Sequence, residues 1–479
     1  MDLIVGDIIQ GTVSDFGSDG EGVIKLDGFP IFVPYTIKGE EVRARITFVK
    51  KACAFGEVVE ILSPSPDRVK PLCPYFEKCG GCDLQHISTP LQREIKRDTV
   101  RVALRKFANL DTNVPLPVRL NDWEYRNKIA LPFAYNGRSK RVSLGFYEKR
   151  SHKVVPLKWC PLHGDWASKL IEVVMVWANE YGVSVYDEAT HKGLLRHIVA
   201  RMLDTLSVTI VINGSRLPKA AELIEGLKAK FDGVTVYISE NTRPNNVIMG
   251  DEVRLIYGRE NKQNLGAFKA VVSPKSFLQV NSKVRDAIYD MAADALSGFD
   301  GDIIELYSGV GLLTAQIALR LPNSKITAVE IERSSHDDAV ALMKSLGLND
   351  RVKNVCDDAA HFLSSLPKEN AQSKESAINK SKLDESIINS PYYLGGMFDN
   401  DRVHHALILD PPRRGCDESV LRAASFERIV YISCNPQSLA RDLKTLSDSY
   451  DVISVTPFDM FPQTANVETL VCLSNKKTD

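Results

Sequence analysis

Nowhere in the 479 residues is there a run of about 18 apolar side chains, the length that spans a bilayer as a helix. The opening MDLIVGDIIQ lacks a basic stretch leading into an apolar one, so neither a membrane-spanning nor an exported protein is expected, and the expected compartment is the cytoplasm. Excess charge of one sign is also missing. Sixty Lys and Arg stand against 61 Asp and Glu, a net charge of -1, so local charge has to decide whether a polyanion is bound. Nine cysteines without an export signal fit a reducing compartment and argue against a disulfide framework. With 25% charged and 44% hydrophobic residues the chain is neither disordered nor fibrous. What remains is a globular protein of two to four domains, at roughly 100 to 200 residues each.

Residues 1–62 space eight glycines between short alternating runs such as Val42-Arg43-Ala44-Arg45-Ile46, which predicts a small closed β-barrel ending at the Pro64-Ser65-Pro66 linker. Gly20-Glu21-Gly22-Val23 and Ile31-Phe32-Val33-Pro34 resemble a TRAM domain, a small OB-like barrel attached to RNA-modifying enzymes. The resemblance implies RNA delivery. The barrel's six basic and ten acidic residues confine any such contact to a local face.

Charge reverses over residues 91–160, with sixteen Lys and Arg against six Asp and Glu, a polyanion footprint. Trp123-Glu124-Tyr125-Arg126-Asn127-Lys128 interleaves aromatic and basic side chains, as a strand offering base stacking and phosphate contacts would; a solvated strand face gives the same pattern. Residues 63–270 read as a central α+β domain. From 271 to 479 strand, loop and helix repeat, with buried strands expected at 302–306, 326–329, 351–355, 406–409 and 429–432, the pattern of a doubly wound α/β sheet. A Ser-, Asn- and Lys-rich stretch over 367–405 interrupts it as a surface insertion.

Tyr307-Ser308-Gly309-Val310-Gly311-Leu312 places glycines between a strand and a helix, where a ligand can approach the backbone. Glu330, nineteen residues after Gly311, stands at a strand end, where a carboxylate can hold a ribose diol. The third glycine of the dinucleotide fingerprint is absent, which suits S-adenosylmethionine better than NAD; an ordinary strand-turn-helix connection remains open on these residues alone.

Three motifs follow at later strand ends, where open α/β sheets carry their chemistry: Asp410-Pro411-Pro412-Arg413-Arg414-Gly415, Ser433-Cys434-Asn435-Pro436, and Phe461-Pro462-Gln463-Thr464-Ala465-Asn466-Val467-Glu468. Cys434 ends a strand and opens a turn, so its thiol is expected to be exposed, with a pKa lowered by the next helix's N-terminus. Together with Ser276-Phe277-Leu278-Gln279-Val280-Asn281, these motifs resemble the RNA uracil-C5 methyltransferase family, and within it the iron-sulfur, TRAM-containing 23S ribosomal RNA enzymes. The resemblance implies a class I (Rossmann-like) S-adenosylmethionine methyltransferase domain. Uracil C5 is a poor nucleophile, so a thiolate has to add at C6 and push electrons onto C5, and a base then removes the C5 proton. Cys434 is the candidate nucleophile and Glu468 the candidate base, and the resemblance assigns both the same roles. It also implies Asp410 beside cofactor and target base, Gln279 and Tyr307 at the cofactor, Glu330 on its ribose, and Asp357 or, by preference, Asp358 near the adenine. Ser308 stands where many relatives have Cys, Asn466 where they have His, and Leu312 where a polar residue is common.

Cys73, Cys79 and Cys82 form C-x5-C-x2-C, and Cys160 follows 78 positions on, before Pro161. Four thiolates can hold a [4Fe-4S] cluster or a tetrahedral zinc, which spacing separates poorly. The family resemblance implies the cluster. The displacement chemistry needs no electron donor, so the cluster is expected to act as a staple joining Cys160 to the 73–82 loop near the RNA path. Alternatives are a transfer RNA uridine enzyme, an exocyclic-amine methyltransferase, which Asp410-Pro411-Pro412 suggests although Arg413 stands where an aromatic would stack, and a non-catalytic RNA-binding protein. A monomer is expected.

Overall fold

The computed structural model describes residues 3–260, 262–366, 405–423 and 425–476. Apart from His405, the stretch expected as an insertion lies outside the described residues.

Alternation in the first 63 residues closes a barrel. Strands β1 (Ile8–Phe16), β2 (Gly22–Leu26), β3 (Phe29–Val33), β4 (Glu41–Val49) and β5 (Ala54–Ser63) pair in the order β1-β2-β3-β5-β4. Val42, Ala44 and Ile46 turn inward to Ile9, Val13, Ile24 and Ile31, while Glu41, Arg43 and Arg45 face solvent. Asp27 and Gly28 both have positive φ, 49° and 83°, the conformation a two-residue hairpin needs between β2 and β3. On the outside, Arg43 pairs with Glu60 and Arg45 with Glu57 across β4 and β5. Two of the barrel's six basic residues are therefore already paired with its own glutamates, and the acidic excess is unchanged.

The α+β region is built on a sheet of β6 (Lys128–Asn136), β7 (Arg141–Tyr147), β8 (Val154–Pro156), β9 (Leu195–Met202), β10 (Leu206–Ile212), β11 (Val234–Glu240) and β12 (Val253–Tyr257), in the order β12-β11-β10-β9-β6-β7-β8. Helices Asp165–Glu180 and Ala220–Lys228 press Leu170, Val174, Trp177, Leu223 and Leu227 into its core.

After a small hairpin of β13 (Gln263–Asn264) and β14 (Lys269–Ala270), the C-terminal sheet comprises β15 (Asp302–Leu306), β16 (Ile326–Glu330), β17 (Val352–Cys356), β18 (His405–Leu409), β19 (Arg428–Ser433), β20 (Tyr450–Phe458) and β21 (Glu468–Asn475). Their order is β17-β16-β15-β18-β19-β21-β20, with β21 antiparallel to both neighbours and the other pairings parallel. Strands such as β15 are buried along their whole length because helices cover both faces. This is the α/β sheet that the C-terminal sequence predicts.

One stretch packs away from its neighbours in sequence. Helix Thr89–Ala103 starts at an N-cap, Ser88, with Pro90 in its first turn. Its Val100 and Ala103, with Leu104 and Val114 beyond, share a core with Val455 of the C-terminal sheet and Leu439 of the helix Pro436–Leu446 packed on it. Val118 then bridges to that sheet, donating to Pro457 O and accepting from Asp459 N. An apolar periodicity shows that a face is buried but not against what, so residues 89–118 read as part of the central domain although they cover the C-terminal sheet.

Candidate active site

The antiparallel ladder between β19 and β21 ends with Ser433 opposite Thr469. Cys434 follows Ser433 at the end of β19 and Glu468 opens β21 next to Thr469, close enough for the Glu468 charge to act on the Cys434 thiol. Three loops close around the pair. Asn435 Nδ2 donates to Arg413 O at 3.2 Å and Ser438 Oγ to the same oxygen at 3.1 Å, tying the Ser-Cys-Asn-Pro turn to the Asp-Pro-Pro-Arg loop. Arg413 Nη2 reaches Asn466 Oδ1 at 3.5 Å, joining the third motif.

Burial, then the Glu468 charge, pushes the Cys434 thiol up to about 11; Arg413 opposes this and Asp410 adds to it. This corrects the expectation of a thiol pKa lowered by the following helix. The N-terminus of helix Pro436–Leu446 is already capped by the Asn435 side chain, which accepts from Gln437 N and Ser438 N, and the carboxylates beside Cys434 outweigh it. Glu468 is 1% exposed, and neither of its carboxylate oxygens has a hydrogen-bond partner among the described residues. Burial, then Asp410, holds its pKa well above the usual carboxylate range. Burial also raises Asp410, to about 7. A half-buried thiol within electrostatic reach of two carboxyls, both raised by burial, suits addition followed by proton removal.

The glycine loop follows β15. Tyr307 has φ 65°, a conformation costly for a side chain with a Cβ, and Gly309 and Gly311 follow at 57° and 76°. A Cβ on Gly311 would press on Ala339 and Met343 at 3.0 and 3.1 Å, whereas one on Gly309 would meet nothing within 4 Å. The open side of the loop is thus at Gly309. Glu330 ends β16, its Oε2 accepting from Gly309 N at 2.9 Å and its Oε1 from Glu332 N at 2.7 Å, so its carboxylate is fixed at the loop. Gln279 is 8% exposed and its carbonyl accepts from Asn127 Nδ2. Asp358 caps helix Ala359–Ser365 through Oδ1, while Asp357 pairs with His361; both aspartates have local partners, and the order of preference between them gains nothing from this.

Sequence reasoning passed over Glu305. This residue lies inside β15 at 3% exposure, with its Oε2 unpartnered among the described residues. Burial, with Asp410 and Glu330 adding, lifts its carboxyl to about 8 despite the opposing effect of the nearby Thr314 hydroxyl. The available signal was a carboxylate in the middle of Ile303-Ile304-Glu305-Leu306.

The Trp123–Lys128 stretch differs from expectation. It is not a strand before Lys128, and Tyr125 is a core residue that donates to Pro462 O at 2.9 Å. Arg126 stacks over Tyr125 and Phe461, at 6.0 and 5.8 Å to the ring centroids. Apolar contact outcompetes display because the loop of the third motif lies against it. Part of the basic excess is internal too, since Lys96 and Arg119 both pair with Asp459.

Cys79, Cys82 and Cys160 feel one another's charge, and Cys79 and Cys160 also that of Cys73, which puts the four thiols in one neighbourhood. Burial raises all four pKa values, that of Cys160 to about 11, and Arg126 lowers those of Cys79, Cys82 and Cys160. His163 Nδ1 is 3.2 Å from Cys160 Sγ. Among the described residues no group of three or more His, Cys, Asp or Glu is set to hold a single metal ion. Four thiols in one neighbourhood are the donor number that either a [4Fe-4S] cluster or a tetrahedral zinc takes.

Comparison with known proteins gives the family. Residues 267–476 match the family model described as tRNA (Uracil-5-)-methyltransferase, and residues 4–59 match the TRAM domain. An uncharacterized RNA methyltransferase of Clostridium tetani is 34% identical over 475 residues, 96% of this chain and 95% of that one. One of Caldanaerobacter subterraneus is 34% identical over 97% of this chain and 98% of its own. The Pyrococcus abyssi tRNA (uracil-54, C5)-methyltransferase, solved with S-adenosyl-L-homocysteine, shares the fold at TM-score 0.71 and 24% identity, over 97% of this chain and 99% of that one. No helix among the described residues is long and apolar enough to cross a membrane. The chain belongs to the RNA (uracil-5-)-methyltransferase family and carries an N-terminal TRAM domain.

Proposed function

We propose that this enzyme methylates C5 of a uridine in 23S ribosomal RNA, with Cys434 as nucleophile and Glu468 as base. The observation that carries the reading is that Cys434, just past the end of β19, and Glu468, at the start of β21, lie close enough for the Glu468 charge to act on the thiol, beside the Ser433–Thr469 pair that ends the ladder. The Cys434 thiol loses its proton, for which Asp410, held near 7, is the acceptor within electrostatic reach. A bond from Sγ to C6 then moves the C5=C6 electron pair toward C5. Bound S-adenosylmethionine supplies an electrophilic methyl, which C5 takes. Glu468 accepts the C5 proton, the electrons of that C–H bond re-form C5=C6, and the C6–S bond breaks to release the thiol group as thiolate.

For the cofactor, Gly309, Gly311, Glu330, Tyr307 and Gln279 would supply the cradle. What supports this is the open side at Gly309 and the carboxylate of Glu330 fixed at the same loop. Asp358 would lie near the adenine. Cys73, Cys79, Cys82 and Cys160 would hold a [4Fe-4S] cluster as a structural staple, for which the shared neighbourhood of four thiols, Cys160 buried and the other three half-buried, is the support. A target base inside structured RNA has to be flipped out, and RNA contacts away from Cys434 fit that need. Lys50 lies over the half-buried Phe55 and the exposed Phe48, and Arg150 over Phe55. Arg150 also lines an open groove of about 510 Å³ with Lys149, Gly80, Gly81 and Tyr147. The reading takes the enzyme to act as a monomer in the cytoplasm.

The test incubates the iron-loaded enzyme with methyl-labelled S-adenosylmethionine and either unmodified 23S RNA or a transfer RNA pool, then digests and identifies the labelled nucleoside. 5-Methyluridine from 23S RNA is expected. Label only in transfer RNA would move the substrate, and a labelled exocyclic amine would discard the mechanism.

A further inference from the structure

The loop leading into Glu468 is gripped from outside its own sheet. Asp83 N and Leu84 N both donate to Gln463 O, at 3.1 and 3.0 Å. Ala465 N donates to Asp83 Oδ2 at 3.3 Å, and Gln92 Nε2 donates to Gln463 Oε1 at 3.0 Å. Gln92 is itself fixed by donating to Leu84 O and Ile87 O. At the centre of this grip Gln463 has φ 72° and is 3% exposed. A non-glycine residue keeps such a conformation only where its surroundings over-determine it, and here the surroundings are the segment directly after Cys82.

We infer that Asp83, Leu84, Gln92 and Gln463 form a clamp through which the four-cysteine loop sets the aim of Glu468. Asp83, Gln92 and Gln463 are positioning residues; none is assigned contact with the reacting atoms. The inference rests on the nucleophile-and-base reading of Cys434 and Glu468. Because neither Glu468 oxygen is held by a hydrogen bond among the described residues, the backbone that presents Glu468 fixes its direction, held on one side by its pairing with Phe458 and on the other by the loop that starts at Gln463. A loosened clamp acts on the step that needs Glu468, removal of the C5 proton, and leaves the earlier addition and methyl transfer in place. The covalent Cys434–RNA species then accumulates on ordinary uridine.

The experiment uses the full chain, S-adenosylmethionine and ordinary uridine-containing 23S RNA, and follows single-turnover methyl transfer and release of the denaturation-resistant adduct separately. Asp83→Ala loosens the clamp from the cysteine side by removing the acceptor of Ala465 N, and Gln463→Gly from the catalytic side by removing the acceptor of Gln92 Nε2, the backbone bonds to Gln463 O remaining in both. Both are expected to transfer methyl within about threefold of wild type and to release the adduct at least tenfold more slowly. Asp83→Asn, which keeps an oxygen for Ala465 N, is expected to release it at near the wild-type rate. Release at the wild-type rate in both clamp variants, or methyl transfer and release falling together, overturns the inference. Wild-type enzyme is run in parallel on 5-fluorouridine RNA. No adduct there overturns the nucleophile-and-base reading and the clamp with it, whereas trapping by wild type with unchanged release in the variants overturns the clamp alone.

Discussion

Ser433 and Thr469 close the β19–β21 ladder, and next to them Cys434 leaves the one strand while Glu468 begins the other, near enough for the Glu468 charge to raise the Cys434 thiol. Two residues 34 positions apart are thus brought together by sheet register, and a one-residue slip would turn one of them to the opposite face. Replacing Glu468 with Gln keeps the shape and removes the base. Turnover is expected to fall by roughly 10² to 10⁴, the usual worth of a positioned general base, while a covalent RNA adduct accumulates on ordinary uridine. Loss of turnover without any adduct would assign Glu468 to an earlier step.

The thiol's pKa gives a second prediction. With Cys434 raised to about 11 by burial and the Glu468 charge, iodoacetamide should modify it slowly at pH 7.5, and the rate should climb roughly tenfold per pH unit toward pH 10, because the thiolate is the reactive form. Peptide-resolved mass spectrometry separates it from the other eight cysteines. A plateau already reached at pH 8 would contradict the electrostatic account.

Glu305 predicts a pH-dependent stability difference. Its folded pKa, about 8, lies above the ordinary value of 4.5. The stability it contributes is therefore complete below about pH 4.5 and is lost as pH rises through 8. Glu305→Gln has no such loss, so relative to wild type it should gain on the order of 1 to 3 kcal/mol between pH 5 and pH 9 in urea unfolding. A difference that stays constant with pH would count against a buried neutral carboxyl.

Lys96 lies on helix Thr89–Ala103 with no exposed side-chain surface and pairs with the equally buried Asp459. Lys96→Met removes one charge and leaves the other, which costs about 3 to 5 kcal/mol for a buried pair. The lower end is expected because Arg119 also contacts Asp459. A loss below about 1 kcal/mol in denaturant unfolding would show that Arg119 suffices.

Much of this was legible in the sequence. The barrel followed from alternation and spaced glycines, and the C-terminal sheet from short apolar runs ending in Asp410, Ser433 and Glu330. Those runs were readable because a strand covered on both faces needs apolar residues throughout. Less legible were residues whose role depends on a distant partner. Tyr125 looked like a stacking residue until its hydroxyl met Pro462 O, and Lys96 looked like part of a phosphate-binding face until Asp459 closed over it. Gln463 carries no signal at all, since nothing local announces a positive φ imposed by Asp83 and Leu84. The lowered thiol pKa failed for the same reason. The helix after Cys434 is visible in sequence, but Asn435 capping it and Glu468 opposing it are facts of three dimensions.

The central claim, a covalent bond between Cys434 and C6 of the target uracil, is tested most directly by trapping. The protein is purified without oxygen and mixed with S-adenosylmethionine and 5-fluorouridine-substituted 23S RNA, and the products are separated under denaturing conditions. Fluorine at C5 leaves Glu468 no proton to remove, so the account predicts a stable protein–RNA adduct that carries the methyl group and disappears in Cys434→Ala. No adduct from wild-type enzyme that still binds the RNA and the cofactor, or an adduct that persists in Cys434→Ala, would contradict it.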